Sequence, residues 1–162
     1  MSGPEGIIAE GEVAGTLEGG AFRLVYRLDC AANWAFRAAD LQLAFGREQR
    51  SCRVARAGDG AWQVDGAARP DLARSSAIDI MVTPLTNTIP VRTLAFVPAM
   101  PVTLSVACVP VPSLEIVPRE QEYEPISPGR LRDRNLESGF TAELEVDADG
   151  LVERYGELWR RA

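Results

Sequence analysis

Hydrophobic and polar residues alternate along most of this chain, a pattern that is typical of β-strands. In residues 22–28 four apolar side chains share one face while Arg23 and Arg27 share the other. Residues 140–146 alternate in the same way, with a polar outer face. Further strands are predicted at residues 7–13, 34–45, 49–55, 61–65, 78–82, 102–109, 114–123 and 151–155. We therefore expect about ten short strands.

One central stretch departs from this alternation and predicts a helix. Pro84 ends the preceding strand, because proline has no N–H for a sheet ladder. The side chains of residues 86–88 can accept hydrogen bonds from the free N–H groups of a helix start, and Pro90 suits a first helical turn. Apolar residues then recur at helical spacing, which predicts a helix from Asn87 to about Val97. Its apolar side chains need surrounding strands to bury them.

Two further stretches are irregular. The apolar pattern of residues 34–45 changes phase between Phe36 and Leu41, which predicts a β-bulge near residues 38–40. Residues 124–135 contain two prolines, one glycine and three arginines, and we predict an exposed loop there. Taken together, the patterns predict one mainly β domain over residues 1–162, built as a closed or rolled antiparallel sheet with a single helix.

Composition narrows the chemistry that such a domain can perform. The chain has 162 residues, of which 46% are hydrophobic and 25% charged, as expected for one globular domain. The net charge of −6 argues against non-specific nucleic-acid binding. There is no histidine and no lysine, which excludes a histidine-based triad and a Schiff-base lysine. The three cysteines have no metal-binding or redox spacing, so we expect reduced thiols, no metal and no cofactor.

The sequence also carries expectations about location. No apolar run reaches the roughly 18 residues of a membrane-spanning helix. The first residues lack the basic and apolar regions of a signal peptide. We therefore expect a cytoplasmic protein without an integral membrane segment.

Three stretches together carry a resemblance to a known family. They are residues 20–28 (GAFRLVYRL) with Trp34, residues 83–92 (TPLTNTIPVR), and residues 138–147 (SGFTAELEVD) followed by 149–152 and Tyr155. Over roughly residues 10–161 the chain resembles the putative glycolipid-binding family, formerly a domain of unknown function. The resemblance implies an antiparallel spiral β-roll wrapped around a single central helix, and it implies homodimers.

The chain departs from the family pattern at both ends. Its N-terminus is shorter, so a first strand of the family is expected to be missing or shifted. Near the C-terminus, residues 155–159 read YGELW where the family pattern is YPGLF. The apolar contact at the end is kept, while the proline turn is not.

A first functional hypothesis follows from the resemblance: a lipid or glycolipid bound in an apolar cavity between sheet and helix. The side chains expected to line this cavity are Phe22, Leu24, Tyr26, Trp34, Phe36, Phe96 and Phe140. Asn87, Thr86 and Arg92 would contact the polar head, because helix N-termini favour anions. The predicted binding residues are therefore Tyr26, Trp34, Asn87, Arg92 and Phe140. The same residues could instead be ordinary core, cap and ion-pair residues.

Two other hypotheses remain. A glycosidase-like enzyme would need two carboxylates, and Asp79 is the acid that lies in a strongly apolar strand. No residue supplies a nucleophile with an adjacent base, so we expect no enzyme. Alternatively, the chain could be a structural or interaction protein that forms a homodimer through an exposed edge strand and binds no small ligand.

Overall fold

The computed structural model describes residues 5–162, and in this part of the chain two β-sheets enclose one short helix. The first sheet has six strands in sequential order: β1 (Ile7–Leu17), β2 (Gly20–Cys30), β3 (Phe36–Phe45), β4 (Glu48–Arg56), β5 (Trp62–Val64) and β6 (Ala67–Ala68). The second has seven: β7 (Ser75–Ile80), β8 (Val102–Val109), β9 (Val117–Ser127), β10 (Arg130–Asn135), β11 (Thr141–Val146), β12 (Val152–Tyr155) and β13 (Trp159–Arg160). Its order runs from β13 to β7.

The helix α1 (Thr88–Thr93) lies in the one connection that breaks the antiparallel pattern. Strands β7 and β8 pair in parallel, with Ile80 opposite Val109, whereas the other described pairs are antiparallel. A parallel pair needs a crossover, and residues 81–101 supply it. The prediction of a mainly β roll around one helix is confirmed, but the sheet is divided in two and is not antiparallel throughout.

Apolar side chains from both sheets meet around the helix and form the core. Leu24 and Leu28 from the first sheet, Ile78 and Leu144 from the second, and Ile89 from α1 are almost fully buried in it. The expectation that strands bury the apolar side chains of the helix holds for Ile89 and Pro90, whereas Val91 is only half-buried. Because each sheet is covered on its inner face only, the outer faces carry the charged residues, as the alternation predicted.

The two sheets are joined beside the last strands of the first sheet. The Trp62 ring stacks on Phe36 with centroids 5.3 Å apart, and its indole N–H donates to the carbonyl of Ser75 at 3.1 Å. Strand β3 also contains the expected bulge, at Arg37: Asp29 pairs with Ala38 but Cys30 pairs with Phe36. This extra residue turns both Phe36 and Leu41 towards the core.

Two elements differ from the sequence predictions. The helix ends at Thr93 and not near Val97, since Leu94 has extended backbone angles. Pro98 and Pro101 follow, and a helix cannot easily continue into residues that precede proline. Residues 124–135, predicted as a loop, form the end of β9 and all of β10. Their arginines lie on the outer face, where Arg132 pairs with Glu124 at 3.1 Å.

Candidate functional site

The corner between β7 and the helix is held by threonine side chains. A 3₁₀ helix, Pro84–Asn87, precedes α1, and the hydroxyl of Thr83 accepts from the N–H of Leu85 at 3.3 Å. Thr86 accepts from the N–H of Ile80 at 3.2 Å. Asn87 was predicted either to cap this helix start or to tie the corner between strand and helix, and its side chain makes no capping bond. Its backbone is already helical, so its side chain points away from the N–H groups that a cap would satisfy.

Asn87 instead takes part in a chain of buried hydrogen bonds. The hydroxyl of Tyr123 donates to its Oδ1 at 2.6 Å and lies 3.3 Å from Oε1 of Gln121. Nε2 of Gln121 donates to a carboxylate oxygen of Asp79 at 2.6 Å. This chain connects the helix to β9 and β7. Asn87 is buried, so it is not placed to contact a ligand at the surface.

A second buried carboxyl group lies next to this chain. The hydroxyl of Tyr155 donates to Oδ2 of Asp133 at 3.0 Å, while Oδ1 of Asp133 has no hydrogen-bond partner among the described residues. Only 5% of the Asp133 surface is exposed. We refer to Asp79, Asn87, Gln121, Tyr123, Asp133 and Tyr155 as the buried polar cluster.

Burial controls the protonation of this cluster. Desolvation, with a smaller contribution from the charge of Asp79, raises the pKa of Asp133 to about 7. Asp79 keeps some exposed surface, but protein packs densely around its carboxyl, and this desolvation raises its pKa despite the bonds from Gln121 and Thr86. Burial also raises the pKa of Tyr123 and Tyr155. Residues 5–162 contain no group of three or more potential metal ligands.

The structure does not bring the five predicted binding residues together. Tyr26 is buried in the core, and Trp34 is half-buried in the turn before β3. Arg92 is exposed, and its side chain packs on Gly150 in the turn between β11 and β12. Phe140 has 46% of its surface exposed. Three of the other predicted lining residues, Phe22, Leu24 and Phe36, belong to the packed core, and Phe96 is half-buried.

Phe140 contributes to an open groove with a volume of about 480 Å³. We call it the C-terminal groove. The residues that line it are Arg130, Phe140, Thr141, Ala142, Glu143, Glu145, Arg154, Gly156, Glu157 and Leu158. The ring of Phe140 stacks on that of Tyr155, with centroids 6.3 Å apart and planes inclined by 24°. The groove therefore adjoins the buried polar cluster through Tyr155.

The walls of the C-terminal groove combine paired charges with exposed apolar groups. Arg130 pairs with Glu143 at 2.6 Å, and Arg154 pairs with Glu157 at 2.6 Å. Phe140 and Leu158 are large apolar side chains that remain exposed there. Another groove, of about 310 Å³, lies on the outer face of the first sheet and includes Val25. An amphipathic molecule fits such mixed walls better than a purely apolar or purely ionic one.

Comparison with known proteins agrees with this architecture. The model of the family described as Putative glycolipid-binding matches residues 1–161. The chain belongs to this family. It is also similar to a DUF1089 family protein from Pseudomonas aeruginosa whose crystal structure was determined at 1.80 Å, with 32% sequence identity and a TM-score of 0.89. The similarity covers 96% of this chain and 86% of that one. No curated protein matches the chain.

Sequence reasoning missed several residues of these two sites. Asp133 was overlooked because its segment was predicted to be a loop, although Leu131 and Asp133 alternate with arginines as in a strand. Gln121 and Tyr123 alternate with glutamates in β9, and this alternation could have indicated that they face inward. Leu158 carried no signal, since a single exposed leucine in a turn has no pattern.

No helix among the described residues is long and apolar enough to span a membrane.

Proposed function

We propose that this protein binds an amphipathic glycolipid in the C-terminal groove and performs no catalysis. The observation that carries the proposal is the exposed ring of Phe140, which is fixed by stacking on Tyr155 within a groove of paired charges. The family description supports the ligand class. The homologue's structure supports the fold that presents the groove.

The groove offers both kinds of contact that a glycolipid needs. Phe140 gives a flat apolar surface for the face of a sugar ring, and Leu158 extends this surface towards an acyl chain. The arginine and glutamate side chains give donors and acceptors for sugar hydroxyls. Because Arg130 is paired with Glu143 and Arg154 with Glu157, a neutral head group can replace water around these four charges without leaving any of them unpaired.

The proposal places the ligand at the surface and not in the core. Tyr26 and Asn87, two of the residues predicted from the sequence, are buried and already hydrogen-bonded to neighbouring side chains. A ligand that reached them would have to displace packed side chains and break these hydrogen bonds, both of which are unfavourable. Phe140 needs no such displacement.

Catalysis has less support than binding. Asp79 and Asp133 have raised pKa values, as catalytic acids often do, but both are held in hydrogen bonds within the core. Among the groove residues, Thr141 is the one with a hydroxyl or thiol that could act as a nucleophile. The side chain of Thr141 donates to the carbonyl of Gly139. We also propose a cytoplasmic location, which the three buried, free thiols support because they fit a reducing compartment.

A homodimer without a small ligand is the second candidate function. It is favoured by β1, an 11-residue edge strand that pairs only with β2 among the described strands. Its inward row, which includes Ile7 and Val13, is only half-buried, so a second copy could cover it.

Binding of a fluorescent monoglycosyl diacylglycerol, measured by fluorescence anisotropy, tests the main proposal. We expect saturable binding at about one molecule per chain and a higher melting temperature. Phe140→Ala should weaken binding about tenfold or more, since it removes most of one large apolar contact. Val25→Ala, an exposed apolar residue in the groove of the other sheet, should leave it unchanged. Absent binding, or equal loss in both variants, would overturn the proposal.

A further inference from the structure

An exposed segment between the helix and β8 has an unusual composition. Residues 95–101 read AFVPAMP and contain no charged or hydrogen-bonding side chain. Apart from the half-buried Phe96, all of them are exposed, with 55% of Val97 and 59% of Met100 accessible. By contrast, the exposed leucines of the described chain, Leu136 and Leu158, each adjoin a glutamate. Contiguous apolar exposure of this kind marks an interaction site more often than single exposed residues do.

The backbone of this segment, which we call the apolar loop, presents its apolar side chains together. The N–H of Met100 donates to the carbonyl of Val97 at 3.0 Å, which closes a four-residue turn. Pro98 occupies the second position and Ala99, at φ +60°, the third, as in a type II turn. The ends of such a turn lie within about 7 Å of each other, so Val97 and Met100 form one protruding apolar tip.

The chemistry of the loop favours lipid over a protein partner. Pro98 and Pro101 have no N–H, so the loop cannot pair as a strand with another sheet. Lipid tails require no directional bonds, and the internal bond of the turn lowers the cost of bringing its backbone out of water. Arg92, at the end of α1, is exposed and makes no ion pair or side-chain hydrogen bond within residues 5–162. Arg92 precedes Val97 by five positions in the chain, and an arginine of this kind can bind a lipid phosphate while the apolar tip enters the acyl region.

We propose that the apolar loop docks the protein on the surface of a lipid bilayer, with Val97 and Met100 inserted and Arg92 at the phosphates. This surface is distinct from the C-terminal groove, so the inference goes beyond the proposed glycolipid binding. The net charge of −6 means that attraction to anionic lipid is not the main force. Docking should therefore occur on phosphatidylcholine alone.

Flotation of the intact protein with phosphatidylcholine vesicles tests this proposal. Wild type should float with the vesicles. The affinity of a Val97→Glu, Met100→Glu double variant for the vesicles should be lower by about tenfold or more. Met81→Glu is the matched control, because Met81 is 61% exposed but follows the C-terminal end of β7. The parallel pairing of β7 with β8 puts Met81 roughly 25 Å from the start of β8. Arg92→Gln should weaken binding by several-fold.

A labelling experiment avoids dependence on the folding of the glutamate variants. Cys30, Cys52 and Cys108 are buried, so Val97→Cys introduces one accessible thiol for a polarity-sensitive dye. Vesicles should shift its emission to the blue, while the same dye at Met81→Cys should not respond. Wild type that stays unbound, or a dye at position 97 that does not respond, would overturn the proposal. A change of oligomeric state in the loop variants without lipid would also overturn it, since the loop would then be a contact between copies.

Discussion

Tyr123 on β9 donates a hydrogen bond of 2.6 Å to the side-chain oxygen of Asn87, which directly precedes the helix. Both residues are buried, and they are separated by 36 positions in the chain. Since a buried polar group without a partner is costly, this bond fixes where the helix lies against the second sheet. It thereby determines the position of the crossover that the parallel pair of strands requires.

Removing either partner of this bond should destabilise the protein, and the two effects should not add. Tyr123→Phe leaves the Asn87 oxygen buried without a donor, so we expect a loss of about 1–3 kcal/mol in the free energy of unfolding. Asn87→Ala should cost a similar amount. Urea denaturation of both single variants and the double variant measures the coupling. Additive losses would show that the residues act independently, as we expect for Tyr26→Phe combined with Asn87→Ala.

The role of Asn87 shows what local sequence patterns can and cannot predict. Its residue type predicted a cap, but capping also requires extended backbone angles, and Asn87 has φ −66° and ψ −20°. The preceding 3₁₀ helix moves the start of the helical region to Thr83, whose side chain makes the cap. A preference for capping can be recognised from the residue type alone. The hydrogen bond to Tyr123 on β9 could not be predicted, because it depends on how distant strands pair.

Alternation of apolar and polar residues predicted most strands correctly. It failed where a buried acid occupies one of the inward-facing positions. Residues 22–28 have only apolar residues on the inner face, and β2 was predicted correctly there. In β10 the inward positions are Leu131 and Asp133, so the pattern was not recognised as a strand. The parallel pairing of β7 with β8 could not be predicted, because apolar and polar residues alternate in the same way in parallel and in antiparallel strands.

The helix should contribute to stability through its N-terminal half. Ile89 is 1% exposed, so Ile89→Ala should cost about 2–5 kcal/mol, the usual range for large-to-small changes in a core. Leu94 is only half-buried at the helix end, so Leu94→Ala should cost less, about 1–2 kcal/mol. Thermal or urea denaturation of both variants measures these losses of stability. Equal losses would contradict this assignment of the buried face of the helix.

Gly11 provides space for the ring of Tyr26, which lies opposite it on the neighbouring strand. A Cβ atom at position 11 would come within 2.5 Å of Cζ of that ring, and the ring is held in the core. Gly11→Ala should therefore destabilise the protein by about 1–3 kcal/mol through overcrowding. Gly58→Ala is the control, since no atom lies near its added Cβ, and we expect a change within about 0.5 kcal/mol. Equal denaturation midpoints for the two variants would show that β1 can move away from the ring.

Asp133 should make the stability of the protein fall as the pH rises towards neutrality. Its pKa in the folded state is about 7, compared with 3.8 for an ordinary aspartate. Between these two values the folded protein holds a proton that the unfolded chain has released, so stability decreases with increasing pH. The full contribution of this residue is about 4 kcal/mol, and its loss should be complete just above pH 7. The exposed, ion-paired acids Glu12 and Asp71 have pKa values lowered from 4.5 and 3.8, so they act in the opposite direction, but only up to about these ordinary values, at the start of the decline.

Two variants separate the contribution of Asp133 from that of other acids. Asp133→Asn removes the titrating group, so urea denaturation between about pH 4 and pH 8 should give a flatter profile than wild type. Asp79, whose pKa is also raised, should keep part of the slope. Tyr155→Phe removes the hydrogen bond that lowers the pKa of Asp133, so the decline should extend to higher pH. An unchanged profile in Asp133→Asn would mean that water reaches its unpaired oxygen, because a solvated carboxyl would ionise near its ordinary pKa in both the folded and the unfolded state.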